Sequence, residues 1–184
     1  MIETDRLRLR FWKQSDIAHF VEMCADKEVM EFFPKTLNRS ESEQVVSIIR
    51  GLMDKQGWGL WAVEVKQLNS FIGFVGLHIP TDNLPFNPCT EIAWRLSKHA
   101  WGKGYATEAA RQALRFGFEQ LDLDEIVSFT ARINERSEAV MKKLGMIKTA
   151  QNFMHPDVNS NSPLCEHVLY KLSRDQWLSG LNDN

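Results

Sequence analysis

The sequence has 184 residues, near the size of one domain and long enough to bury most of its unfolded surface in a single core. Apolar residues make up 43%, and 22 Lys plus Arg against 24 Asp plus Glu leave a net charge of -2. That balance excludes a disordered chain, which combines low hydrophobicity with high net charge, and it lacks the basic excess of a nucleic-acid binder.

The opening Met1-Ile2-Glu3-Thr4-Asp5-Arg6 carries charge where a signal peptide is apolar, and no run approaches the ~20 apolar residues of a membrane span. A cytoplasmic protein without membrane or nucleic-acid partners is expected. Leu7 to Trp12 begins with apolar and basic residues in alternation and predicts a strand. Ser15-Asp16 can cap a helix carrying Ile17, Phe20, Val21 and Cys24. Ser40 with Glu43 has the form of a capping box for a second helix, with Val45, Val46, Ile49, Leu52 and Met53 on one face and Gly57 as its stop. Residues 58–65 and 71–79, rich in aromatic and β-branched residues, read as an antiparallel hairpin, and 80–88, with three prolines, as a loop.

Thr90 to Leu96 follows as a strand, and Ala106 to Leu121 as a helix with Ala109, Ala110, Ala113, Leu114 and Gly117 on one face. A strand over 126–131, a helix over 135–144 stopped by Gly145, an extended stretch over 146–153, a loop over 155–163, a strand over 164–172 and a helix over 173–181 complete the chain. The order of elements predicts one mixed-sheet α/β or α+β domain over 1–184, without repeats or a linker. Cys24, Cys89 and Cys165 are odd in number, widely spaced and outside any C-x-x-C pattern, so neither a disulfide framework nor a metal site is expected.

The segment Trp101-Gly102-Lys103-Gly104-Tyr105-Ala106-Thr107-Glu108 lies between a strand and a helix. A helix start offers unpaired N–H groups and the positive end of the macrodipole, and glycines let an anion approach the backbone. Phosphate binding and a plain tight turn both fit the spacing. A P-loop requires Ser or Thr after Gly-Lys, where Gly104 stands, and the dinucleotide fingerprint requires glycine where Thr107 stands.

These residues resemble the GNAT superfamily of acyl-CoA-dependent N-acetyltransferases, in a branch similar to the RimJ and RimL ribosomal-protein acetyltransferases. The resemblance rests on Thr4 to Arg10, Glu91-Ile92-Ala93-Trp94-Arg95-Leu96, Trp101 to Ala109, Asn134-Glu135-Arg136-Ser137 and Lys143-Leu144-Gly145-Met146, in order along almost the whole chain. It implies a GNAT-like fold, a twisted and largely antiparallel sheet flanked by helices, in a monomer or homodimer. It implies that the amides of Gly102, Lys103, Gly104, Tyr105, Ala106 and Thr107 cradle the pyrophosphate of acetyl-CoA, the co-substrate, and that Trp94 and Leu96 line the pantetheine. Trp101 replaces the Gln or Arg usual at the start of that loop.

By the same resemblance Asn134 binds coenzyme A and Ser137 lies near its sulfur, although Asn134 also suits a helix N-cap. Met141 stands where many members carry a tyrosine acid. Transfer to an amine needs a proton acceptor, since lysine-type and N-terminal amines have pKa values of about 10.4 and about 7.7 to 8.0. Glu91, opening the strand expected to hold the thioester, is the candidate base; a solvated strand-end carboxylate is the alternative. The expected acceptor is a primary amine, favoured as a protein N-terminal α-amine, with a small-molecule amine (amino acid, polyamine or antibiotic) or a non-catalytic acyl-CoA-binding module as rivals. Residues 28–34, with Glu31, and 155–163, with Asp157, are expected to shape the acceptor cleft. Cys89 as an acylated nucleophile and His155, Cys165 and His167 as metal ligands rank low, with His167 kept as an acceptor-site residue.

Overall fold

The inward-facing Leu7 and Leu9 make β2 (Leu7–Arg10), paired antiparallel with β1 (Ile2–Glu3) on one side and β3 (Leu60–Val65) on the other. The structure is a computed structural model that describes residues 1–182, so the last two residues of the expected 1–184 domain lie outside the described residues. Antiparallel pairing continues through β4 (Ser70–His78) to β5 (Glu91–Leu96). Then β6 (Glu125–Ala131) joins parallel, and β9 (Glu166–Ser173) returns antiparallel with β7 (Ile147–Lys148) and β8 (Phe153–Met154) paired to it. The described residues thus form one mixed, largely antiparallel nine-stranded sheet.

Five helices flank the sheet among the described residues: α1 (Asp16–Ala25), α2 (Arg39–Gln56), α3 (Tyr105–Glu119), α4 (Glu135–Lys143) and α5 (Arg174–Asn182). Side chains alternate along β4, so the sheet separates two cores. Phe74 faces α1, where its ring lies 6.1 Å from that of Phe20. Leu77 faces α3, where a Cβ on Gly117 would come within 2.9 Å of its Cδ1. The small Ala109, Ala110 and Ala113, all fully buried, complete that close helix-to-sheet approach.

Several expectations shift locally. Asn38, not Ser40, caps α2: its side chain accepts from Glu41 N–H at 2.9 Å while Glu41 accepts from Asn38 N–H at 2.8 Å. Ser15 makes no side-chain cap on α1; Asp16 instead accepts the N–H of Lys13 at 2.7 Å and pairs with Arg10 at 2.7 Å. Leu52, expected on the buried face of α2, is exposed, whereas Val46, Ile49 and Met53 are buried.

The parallel step matters for function. Strands β5 and β6 are in register only at Glu91 and Val127. Val127 N–H donates to Thr90 O at 2.9 Å, and Ser128 Oγ donates to Ile92 O at 3.0 Å. Beyond Ile92 the strands diverge, and Ala93 to Leu96 border the opening on one side while Phe129 to Ala131 border it on the other.

Candidate functional site: a cavity at the strand split

The opening leads into a cavity of about 910 Å³ that runs from the glycine turn to Glu91. Gly104 caps α3 with φ +80°, and Gly102 has φ +72°, both left-handed values that a side chain resists. No Cβ clash explains Gly102, and a Cβ on Gly104 would only touch Arg6 at 3.5 Å, so backbone conformation is what requires glycine here. Glu108 is the first residue of α3 whose N–H reaches a carbonyl, that of Gly104 at 3.0 Å. The amides of Tyr105, Ala106 and Thr107 therefore start the helix without a backbone acceptor, beside a cavity that these residues line.

Distant residues hold this turn in place. Arg6 donates through Nη1 to Lys103 O at 3.0 Å and through Nε to Glu108 at 2.6 Å, and it lies 4.7 Å over the Tyr105 ring. Thr4 Oγ1 donates to the other Glu108 oxygen at 2.5 Å. The Lys103 side chain is exposed and Lys103 does not line the cavity, unlike its neighbours Gly102 and Gly104. Trp101 donates from Nε1 to Leu96 O at 2.8 Å and stacks beneath Arg136 at 4.4 Å, fastening the turn to the end of β5. Trp94 and Leu96 line the cavity above it.

Asn134 and Ser137 also face the cavity. Asn134 is the N-cap of α4: its Oδ1 accepts from Ser137 N–H at 3.2 Å, and its Nδ2 donates to Thr130 Oγ1 at 2.9 Å and Ser137 Oγ at 3.1 Å. Met141 is buried one turn further on and also lines the cavity. Neither of the chain's two tyrosines takes the place of an acid there. Tyr170 is buried with its hydroxyl donated to Glu138 at 2.7 Å, where burial and that carboxylate push its pKa up; Tyr105 sits at the glycine turn under Arg6.

At the other end of β5, Glu91 is buried, with 7% of its surface exposed, and its Oε2 lies 2.8 Å from Nε2 of His78, its direct cross-strand partner. Burial raises the Glu91 carboxyl above the usual range, although His78 opposes the shift. Burial alone would lower the His78 pKa, but the hydrogen bond and charge of Glu91 outweigh it, with a further contribution from Asp82, and raise it. The buried Glu91 and the half-buried His78 thus form a hydrogen-bonded pair in which each group's protonation depends on the other's.

His155, Asp157 and His167 complete this end of the cavity. The imidazole rings of His155 and His167 lie 4.8 Å apart, and burial pushes His167 down to about 4. Asp82 hydrogen-bonds Asp157, and burial together with that carboxyl raises its pKa. Cys165 turns its thiol to the carbonyls of Val158 at 3.5 Å and His155 at 3.8 Å. Cys89 lies off the cavity lining; burial and the nearby Glu91 push its thiol up to about 11, which leaves it protonated and poorly nucleophilic at neutral pH.

Opposite them, Val29, Phe32, Phe33 and Pro34 of the α1–α2 connection form a wall. Glu31, expected at the acceptor cleft, instead turns away to pair with Arg136 at 2.6 Å and does not line the cavity; Asp157 does. His78 carried no signal in the sequence, and Arg6, Arg95 and Arg136 stood in the quoted motifs without a role, because each acquires its place through contact with a residue far along the chain. Counting outward from the 80–88 loop sets His78 opposite Thr90, one residue short of the observed partner Glu91, so the pairing needs the register.

The match to the family model described as an acetyltransferase (GNAT) domain spans residues 6–147. The FsC-acetyl coenzyme A-N(2)-transacetylase of Aspergillus fumigatus is 31% identical over 165 residues, covering 86% of this chain and 69% of that protein. Among solved structures, a GNAT-family acetyltransferase from Bacillus anthracis superposes with a TM-score of 0.78 at 23% identity, covering 95% of this chain and 98% of the other. A spermidine N-acetyltransferase from Vibrio cholerae, in complex with CoA and spermine, superposes at 0.74 with 18% identity over 95% and 99% of the two chains. With the sequence motifs, the sheet with its split strands and the family match in agreement, the chain belongs to the GNAT acetyltransferase family.

Proposed function

We propose that the protein transfers acetyl from acetyl-CoA directly to a primary amine within a ternary complex. The observation that carries this reading is one continuous cavity with unpartnered helix-start amides at one end and buried Glu91, paired with His78, at the other. The amides of Gly102 through Thr107, Lys103 included, bind the coenzyme pyrophosphate through backbone dipoles, which a nearly neutral protein can supply. Trp94 and Leu96 wall the pantetheine arm, and main-chain N–H groups of β5 beyond Ile92 stabilise the negative charge that develops on the reacting carbonyl oxygen.

Acetyl-CoA supplies an activated acyl group with a thiol leaving group. Glu91, relayed through His78, takes the proton from the ammonium form of the acceptor so that its nitrogen lone pair can attack. Asn134 holds Ser137 through two hydrogen bonds, and Ser137 or water returns a proton to the departing sulfur in place of the tyrosine replaced by Met141. A thiol's ordinary pKa of about 8.5 makes that proton a modest requirement.

The acceptor class is broader than its nitrogen. The branch resemblance favours a protein N-terminal α-amine; the Aspergillus relative's name, FsC-acetyl coenzyme A-N(2)-transacetylase, points to transfer at a numbered nitrogen, and a small-molecule amine is the rival. Initial-rate kinetics with an amine panel test the reading: thiol release that depends on the amine, with intersecting double-reciprocal lines, is expected. Parallel lines with acetyl left on the protein would replace direct transfer by an acyl-enzyme route, and coenzyme binding without thiol release would leave a binding module.

A further inference from the structure

Arg95 is a charge in the cavity that no carboxylate among the described residues answers. It follows Glu91 and Ala93 on the same face of β5, opposite Phe74, and that face is covered by α1. Its guanidinium lies 4.2 Å from the ring centroid of Phe33 and 5.5 Å from that of Phe74. Stacked rings attract the cation but accept none of its in-plane N–H groups. Nη1 donates to Cys24 Sγ at 3.3 Å, and Nε is closed off from solvent without any partner. Arg10, Arg6 and Arg136 all pair with carboxylates; among the described residues no carboxylate lies within ion-pair distance of Arg95. Burial pulls its pKa below the ordinary arginine value. Holding a cation out of water without a counter-charge is destabilising, and a planar fork beside an open cavity is suited to a carboxylate.

The charges along the cavity are arranged in opposite senses. Glu91 and Asp157 mark one end, and Arg95 lies further along β5 toward the glycine turn, with Ala93 leaving room between them. Resting on the transferase reading above, we propose that Arg95 binds a carboxylate of the acceptor, so that the substrate is an amino acid or another carboxylate-bearing amine. Its amine is drawn to Glu91–His78 and its carboxylate to Arg95. A phosphate dianion fits less well, because Arg136, the other arginine lining the cavity, is already paired with Glu31. Four residues of strand separate the Cα atoms of Glu91 and Arg95 by roughly 13 Å, and both side chains reach into that span. The separation of nitrogen and carboxylate in the substrate is therefore left to a length series.

The test is calorimetric titration of the CoA-loaded protein with amino acids having one to about six carbons between nitrogen and carboxylate. Each is paired with its amide and with the amine lacking the carboxyl group, and wild type is compared with Arg95→Gln and Arg95→Lys. We expect at least one acid to bind about 10-fold or more tightly than its amide, a preference erased by Arg95→Gln and partly kept by Arg95→Lys, with CoA affinity unchanged. Equal binding of acid and amide across the wild-type series would overturn the proposal, a result that needs no variant to fold. So would a preference that survives Arg95→Gln, or an equal loss of CoA affinity, which would assign Arg95 to the coenzyme. Because the readout is binding, acids that bind through Arg95 without any thiol release from acetyl-CoA would refute the transferase reading and leave this one standing; release with acids and amides alike would refute this one alone.

Discussion

Replacing Glu91 by Gln removes the proton acceptor while keeping shape. The amide can still hydrogen-bond His78 across the 2.8 Å contact, so the strand pair and the cavity wall are preserved. The glycine turn lies beyond the far end of β5, whose six residues span roughly 17 Å, so coenzyme binding should be insensitive to the change. Loss of a positioned base costs about 10²- to 10⁴-fold in rate, and kcat should fall by that factor while the CoA dissociation constant stays within about threefold. The imidazole supplies an independent readout. His78 titrates above 6.5 because Glu91 outweighs burial; in Glu91→Gln burial acts without that carboxylate, and the titration should move below 6.5. In wild type, turnover should accordingly fall as the pH drops through the raised pKa of the pair, where the base becomes protonated. Steady-state kinetics with thiol detection and NMR titration of the imidazole check both. A kcat within threefold of wild type would remove Glu91 as base, and an unmoved His78 titration would refute the electrostatic account of the pair.

Two further changes separate backbone from side-chain roles. Gly104→Val places a branched residue at φ +80°, a strain of about 1–3 kcal/mol, and should weaken CoA binding about 10-fold or more, whereas Lys103→Ala, whose side chain lies outside the cavity, should change it less than about threefold; calorimetry that ranked them the other way would contradict a backbone cradle. Arg10→Met leaves Asp16 and Glu64 buried without their shared cation and should cost about 3–5 kcal/mol in urea denaturation. Burial pushes the Glu64 carboxyl up, but hydrogen bonds from Arg10, Arg8 and Lys13 outweigh it and hold the group at about 2. Its contribution is present in full above the ordinary carboxyl value of 4.5 and is lost as pH falls through about 2; Arg10→Met should be less sensitive to acid across that window.

What the sequence revealed follows from how local each signal is. Helix α3 was legible because its alanine face and the glycine turn before it are set by neighbours within a few residues, and the β3–β4 hairpin because its turn is short. The cap of α2 was misplaced because Asn38 with Glu41 and Ser40 with Glu43 fit the same pattern, and only the direction of the incoming chain selects the first. Glu31 looked like a free carboxylate until Arg136, 105 residues away, claimed it. The same holds for Arg6 and Glu108 at the turn, 102 residues apart, and for Arg95 beneath Phe33. Spacing identifies an element, whereas a site made of cross-strand and helix-to-loop pairs needs the register.

The most direct test of the central claim is an experimental structure with coenzyme A bound. The account predicts pyrophosphate oxygens within hydrogen-bond distance of amides between Gly102 and Thr107, and the thiol at the β5–β6 split on the path to Glu91 and His78. A pyrophosphate bound away from that turn, or a thiol directed to the opposite side of the sheet from Glu91, would contradict it.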